Sequence, residues 1–316
     1  MKAQAAAAAV AAILIAVPLA ADAQAQEQAE AKVPPASPAQ KFGKDQLNQL
    51  VAPIALYPDN LLAQILAAST YPVDIVEAAR WVKHNPDLSQ DDKKEELTAK
   101  KWDPSVKGFV FFPQLLQKLN DNLDWTKDLG DAFVSQQKDV MAAIQEMRAK
   151  AQQNGALQSN AKQSVSSSDG NIQIQSTTPD TIYVQNYEPS TAYGTSWAGG
   201  GYYPAVLAAP AYPWPFYGAG WACGFYAAWG NGWIGYNNNF YNHWNNWTND
   251  WHNWNNHYIN PNIYGPNNLY DPKNPNSKQW QHNANRTRPV TTSTEQIAKN
   301  LEGGHLAPQN NRGFDQ

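Results

Sequence analysis

Leu47, Leu50, Val51 and Ile54 recur at i, i+3, i+4 and i+7, one apolar stripe that predicts a helix from about Asp45. Pro53 kinks or ends that helix, because it has no amide to give to the preceding turn. After the turn Tyr57-Pro58-Asp59 the stripe restarts at Leu61, Leu62, Ile65 and Leu66, and Tyr71-Pro72 breaks it again. Ile75, Val76, Ala79 and Val82 give the next face. Ser89, followed by Asp91 and Asp92, reads as the cap of a polar, superficial helix running to about Lys101. Pro104 suits the first position of a short helix, and Phe109 to Phe112 with Leu115, Leu116 and Leu119 supply bulk for a core. Leu129, Phe133, Val140, Ile144 and Met147 predict one long last helix, stopped at Asn154-Gly155.

Beyond Gly155 the period changes to alternation. Asp169-Gly170 is a hairpin turn signal, with Ile172 and Ile174 behind it, and Ile182 and Val184 mark a third strand between Pro179 and Pro189. These runs predict a three-stranded antiparallel unit, which needs the helical domain to pack on. After Gly194 prolines and glycines interrupt every apolar run, and 237–262 is mostly Asn, Trp, His and Tyr. No core-forming period is expected there.

The fold class that follows is mainly α: an N-terminal helical bundle with a small antiparallel β-hairpin unit, then a long low-complexity aromatic, Asn- and Gly-rich tail, largely disordered. The first residues refine this division. Lys2 and the apolar run Ala5 to Ala21 precede the small-x-small sites Ala21-Asp22-Ala23 and Ala23-Gln24-Ala25, the pattern of a cleaved signal peptide and hence of an exported protein of the periplasm or outer envelope. The divisions are a signal peptide at 1–23, a linker at 24–42, a helical domain at 43–155, a β unit at 156–194, an aromatic low-complexity segment at 195–270 and a polar tail at 271–316.

Composition changes the picture in one place. Ten of the 13 Trp lie from Trp197 to Trp280, and between Glu188 and Asp271 the only charged residue is Asp250. The formal net charge of −4 argues against a nucleic-acid partner. Cys223 is the single cysteine, so no disulfide within the chain is possible; it either pairs between chains or packs as a small side chain.

Contiguous motifs carry a family resemblance. Leu50-Val51-Ala52-Pro53-Ile54-Ala55-Leu56-Tyr57-Pro58-Asp59, Leu61-Leu62-Ala63-Gln64-Ile65-Leu66, Ala68-Ser69-Thr70-Tyr71-Pro72, Trp102-Asp103-Pro104-Ser105-Val106 and Leu129-Gly130-Asp131-Ala132-Phe133 run in order, closed by Tyr183-Val184, Tyr187 and Tyr193-Gly194. Over residues 45–194 the chain resembles an exported bacterial family catalogued as domain of unknown function 3300. The resemblance implies compartment and boundaries, and no catalytic residue comes with it.

No catalytic fingerprint is present: no nucleophile elbow, His-Glu-x-x-His, phosphate loop or dinucleotide glycine run. No cofactor is expected, and a non-enzymatic role is favoured. The motif acids Asp59, Asp103, Asp124 and Asp131 sit where helix caps and turns are expected, although a carboxylate pair among them is what a glycan hydrolase would use. His243, His252 and His257 are candidate metal ligands without an evident scaffold. Trp233, Trp244, Trp247, Trp251 and Trp254, interleaved with Asn and Tyr, are the candidate binding residues. Flat rings stack on the C–H faces of sugars while amides meet hydroxyls, so cell-wall glycan or an envelope protein is the expected partner. Self-association through the same aromatic and Asn contacts competes with that reading. A membrane-spanning Phe216–Tyr236, with Gly220 and Gly224 at i, i+4, is a further alternative, diluted by its glycines.

Overall fold

A computed structural model describes residues 42–177, 181–185, 187–197, 213–215, 224–237 and 277–286. All belong to one compact unit. The segments expected as signal peptide and linker lie outside the described residues, except Phe42, which is buried.

The helical part follows the sequence pattern closely. Helix α1 (Lys44–Val51) begins after Gly43, whose amide donates to Gln46 Oε1 at 2.7 Å. It buries Leu47, Leu50 and Val51, and turns at Pro53 lead through Ile54 and Tyr57 into α2 (Asp59–Ser69). Helix α2 is the centre of the molecule: Leu61 through Thr70 are all buried. A helix apolar on every side belongs inside a fold, and α2 packs against α3 (Pro72–His84), α5 (Pro104–Phe109) and α7 (Leu123–Ser135). Between these lie the polar α4 (Gln90–Ala99), capped by Ser89 accepting from the Asp92 amide at 3.1 Å, and α6 (Pro113–Asp121). Three of these helices start on a proline, which needs no acceptor for a missing amide in the first turn. Helix α8 (Gln137–Gln153) packs on α1 and α7.

The single long helix expected through Leu129 to Met147 is two. The break falls at Gln136 (φ −139°, ψ 44°), whose side chain accepts from the Phe42 amide at 2.6 Å and donates to the Phe42 carbonyl at 3.1 Å. The start of the domain is thereby tied to the α7–α8 corner, a constraint between positions too far apart for periodicity to register. Helix α7 also approaches α2 very closely. A Cβ at Gly130 would overlap the Ser69 carbonyl, so the Leu129-Gly130-Asp131 motif is a packing requirement.

Strands β1 (Gln163–Ser168) and β2 (Asn171–Ser176) pair antiparallel in the expected hairpin, with Val165 opposite Ile174 and positive φ at both Asp169 and Gly170. The expected third strand, β3 (Thr181–Tyr183), does not join them. It pairs antiparallel with β4 (Pro213–Pro215), from the aromatic segment. Helix α9 (Pro189–Tyr193) packs on α8, and Tyr193 donates its hydroxyl to the Ala52 carbonyl at 2.7 Å.

The expectation that no core-forming structure follows Gly194 is corrected. Strands β5 (Phe225–Ala228), β6 (Trp233–Asn237) and β7 (Ser277–Gln279) form an antiparallel sheet in that order, and β5 packs on α2. Phe225, Trp229, Ile234 and Trp280 join the helical core. The boundary expected between 270 and 271 therefore falls between strands of this sheet. Part of the tract weighed as a membrane span, 225–236, lies in this β5–β6 hairpin. Among the described residues no helix is long and apolar enough to cross a membrane.

Candidate functional site

The site is the place where the aromatic strands meet the helical domain, and it has two anchors. The first is Arg148, on α8 and fully buried. Its Nε donates to the Ala55 carbonyl at 2.8 Å, Nη2 to the Tyr57 carbonyl at 2.9 Å, and Nη1 to the Ile172 carbonyl at 2.8 Å and to Asp59 Oδ1 at 2.6 Å. Asp59 accepts further bonds from the Ile174 amide at 3.2 Å and, at Oδ2, from Trp229 Nε1 at 2.9 Å. The Trp229 ring lies over the guanidinium, 4.7 Å from its carbon to the ring centroid. A buried guanidinium is stable only when its donors are satisfied. Here the acceptors come from the α1–α2 turns, the hairpin and α2, and the indole from beyond β5 closes the set. Asp59, expected as a cap, is instead the ion-pair partner of this centre.

The second anchor holds β7. Phe133 on α7 and Trp280 have ring centroids 5.6 Å apart, and His282 stacks on Tyr71 at 5.1 Å. His282 Nδ1 lies 3.2 Å from Thr70 Oγ1, and the Asn283 amide donates to the Tyr71 hydroxyl at 3.1 Å. Burial holds the His282 imidazole below its usual range, while the nearby Asp103 carboxylate acts in the opposite direction. Asp103 is fully buried and caps α5, accepting from the Ser105 amide at 3.0 Å and the Ser105 hydroxyl at 2.7 Å. The motifs Ser69-Thr70-Tyr71 and Trp102-Asp103-Pro104-Ser105 are thus brought together beneath the end of β7. Neither Trp280 nor His282 stood out in the sequence, since both lie beyond the last strand that alternation predicts.

Between the anchors, β6 and β7 pair so that Asn237 stands opposite Ser277. Residues 238–276 therefore connect two adjacent strands. Trp233 is on β6, half-buried, its ring 6.2 Å from that of Tyr226. The other candidate binding residues, Trp244, Trp247, Trp251 and Trp254, lie outside the described residues, as do the candidate metal ligands His243, His252 and His257, and Cys223. Among the described residues no group of three or more His, Cys, Asp and Glu is placed to hold a metal ion.

The remaining motif acids are on α7. Asp124 is in its first turn, and Asp131 lies one turn beyond Asp128. Burial pushes the Asp128 carboxyl up to about 7, Asp131 and Asp124 add to this, and Lys127 opposes it; Asp131 is also raised, chiefly by burial. Asp128 was not among the carboxylates singled out, because nothing in its local sequence announces burial on a helix flank.

The chain matches the family described as "Protein of unknown function (DUF3300)" over residues 43–282 and belongs to it. The match extends well past residue 194, where the motifs end, and takes in all three strands of the β5–β6–β7 sheet. The chain is also 44% identical over 135 residues to "Uncharacterized protein YacH" of Escherichia coli (strain K12), a stretch that is 42% of this chain and 22% of that protein. The chain thus aligns with less than a quarter of this relative's length. No solved structure matches it.

Proposed function

We propose that this family member is exported to the cell envelope and acts there as a non-enzymatic binding or assembly factor, presenting residues 238–276 to a neutral glycan. One observation carries the reading. The Asn237–Ser277 pairing clamps both ends of an uncharged-to-weakly-charged, Trp- and Asn-rich segment onto a helical base. A tail would trail from one attachment; this segment has two. Export is supported by the Lys2 and Ala5–Ala21 leader pattern. Binding without catalysis is supported by Asp59 and Asp103, which are already committed to Arg148 and Trp229 and to the α5 cap.

Retention on purified cell-wall glycan tests this, comparing the full chain with a variant carrying Trp→Ala at 244, 247, 251 and 254. The variant is expected to lose retention with an unchanged melting temperature, since none of the four belongs to the described core. Each stacked ring contributes on the order of 1 kcal/mol, and contacts along one polymer reinforce each other, so retention should rise with glycan length. Equal retention of both proteins would end the glycan reading. Concentration-dependent light scattering without glycan, lost in the same variant, would replace it with self-association.

Asp128 and Asp131, one turn apart with raised proton affinity, are the observation that favours the rival, a glycan hydrolase. Release of reducing ends from cell-wall glycan by the wild type, abolished by Asp128→Asn, would establish it in place of binding.

A further inference from the structure

Between α3 and α5 two tryptophans meet beside a lysine. Trp81, on α3, and Trp102, just before α5, meet edge to face with ring centroids 6.1 Å apart. Trp102 is buried and its Nε1 donates to Glu77 Oε2 at 3.0 Å; Trp81 is half-buried. Lys100 Nζ stands 5.5 Å from the Trp81 centroid and 5.7 Å from that of Trp102. Two indole rings converging on one ammonium, with a carboxylate at the rim, is the arrangement by which aromatic cages recognise cations.

The occupant of this cage is the protein's own side chain, and its tether is light. Lys100 follows α4, a polar helix whose buried anchor is Leu97, and its backbone is extended. The walls, in contrast, are fixed. Trp102 is bonded to Glu77, and the neighbouring Asp103 amide donates to Asp74 Oδ2 at 2.8 Å, tying both residues to α3. A rigid cage with a loosely held occupant is suited to exchange.

We propose that the Trp81–Trp102 pair is a binding site for the alkylammonium group of a peptide, a lysine or similar diamino side chain, with Lys100 as the resting occupant that the incoming group displaces. The ligand class follows from the occupant: an unbranched apolar stem ending in a primary ammonium. The Glu77 carboxylate bonded to Trp102 disfavours an ammonium that travels with a phosphate, so a phosphoethanolamine headgroup is the poorer ligand. Displacing a tethered group means competing with an effective concentration on the order of millimolar, so a single ammonium binds the wild type weakly.

The test uses the full chain and Nα-acetyl-lysine-N-methylamide, read by the Trp81 indole N–H resonance, assigned through Trp81→Phe. The wild type should show a saturable shift, and Lys100→Ala should lower Kd about fivefold or more by removing the internal competitor. Adding Trp81→Ala to Lys100→Ala should abolish saturation. Trp81 is chosen for removal because it is half-buried, so the helical core survives its loss, which a melting curve verifies. The norleucine analogue, equal in shape and uncharged, should give no saturable shift. Kd values for wild type and Lys100→Ala within about twofold of each other, or an equal response to the norleucine analogue, would overturn the site. Tighter binding of phosphoethanolamine than of the lysine amide would overturn the peptide assignment.

Discussion

The two anchors of the aromatic strands solve the same problem by different chemistry. At the Arg148 end the contacts are ionic and directional: four carbonyl and carboxylate acceptors surround one guanidinium, and an indole both caps it and bonds its counter-ion. At the β7 end the contacts are mostly ring on ring, and the buried Trp280 Nε1 has no hydrogen-bond partner among the described residues. A satisfied polar centre fails badly when one member is removed, because the others are left buried and unpaired. A stacked anchor degrades in proportion to the area lost. The strand that starts the sheet is thus locked into the helical domain, and the strand that finishes it is laid on top.

That contrast is open to measurement. The largest effect is expected from Arg148→Met, which leaves Asp59, 15% exposed, without its partner and three carbonyls without their donor; chemical denaturation should show a loss of about 3–5 kcal/mol. A loss below about 1 kcal/mol would mean that the centre is not buried in solution. Next comes Trp229→Phe, which keeps most of the apolar area and removes one bond to a charged acceptor, for about 1.5–3 kcal/mol. The matched change at the other anchor, Trp280→Phe, removes an indole N–H with no partner among the described residues and should cost under about 1 kcal/mol. Equal costs for these two indole substitutions would erase the distinction between the anchors.

The smallest effect is one of pH. The folded imidazole of His282 is held below its usual value of 6.5, so the folded state binds this proton less readily than the unfolded chain. Its contribution is therefore complete above that value and declines as pH falls through it. The difference in stability between wild type and His282→Phe should shift against the wild type from pH 7.5 to pH 5.5. A difference that stays flat across that range would show that His282 is not docked on Tyr71.

Helices were legible wherever the signal was local. The stripes of α1, α2 and α3, the Ser89 cap and the proline starts of α3 and α5 could all be read from spacing and residue type. What escaped was what depends on distant partners. Gln136 breaks a helix for the sake of Phe42, and Arg148 sits in a stretch, Gln145-Glu146-Met147-Arg148-Ala149-Lys150, that looks like a wet helix face. The β5–β6 hairpin was hidden by composition. Phe225-Tyr226-Ala227-Ala228 and Trp233-Ile234-Gly235-Tyr236 flank a turn in which Gly232 adopts φ 67°, a left-handed conformation that glycine tolerates and β-branched residues do not. Strand, glycine turn and strand were written there, and the surrounding Trp and Gly made them read as low complexity. The candidate site itself was half legible: Trp233 was chosen and lies on the sheet, whereas Trp229, Trp280 and His282 do their work through tertiary contacts that no spacing reveals.

The pairing of Asn237 with Ser277 has a consequence for how this protein can vary. Once two neighbouring strands are zipped, the chain between them is a closed ring whose entropy grows only with the logarithm of its length; each doubling costs about 0.6 kcal/mol. On loop closure alone, then, a change in the length of 238–276 costs little so long as the Trp233–Asn237 and Ser277–Gln279 strands stay paired, which makes the strand pair a natural display frame.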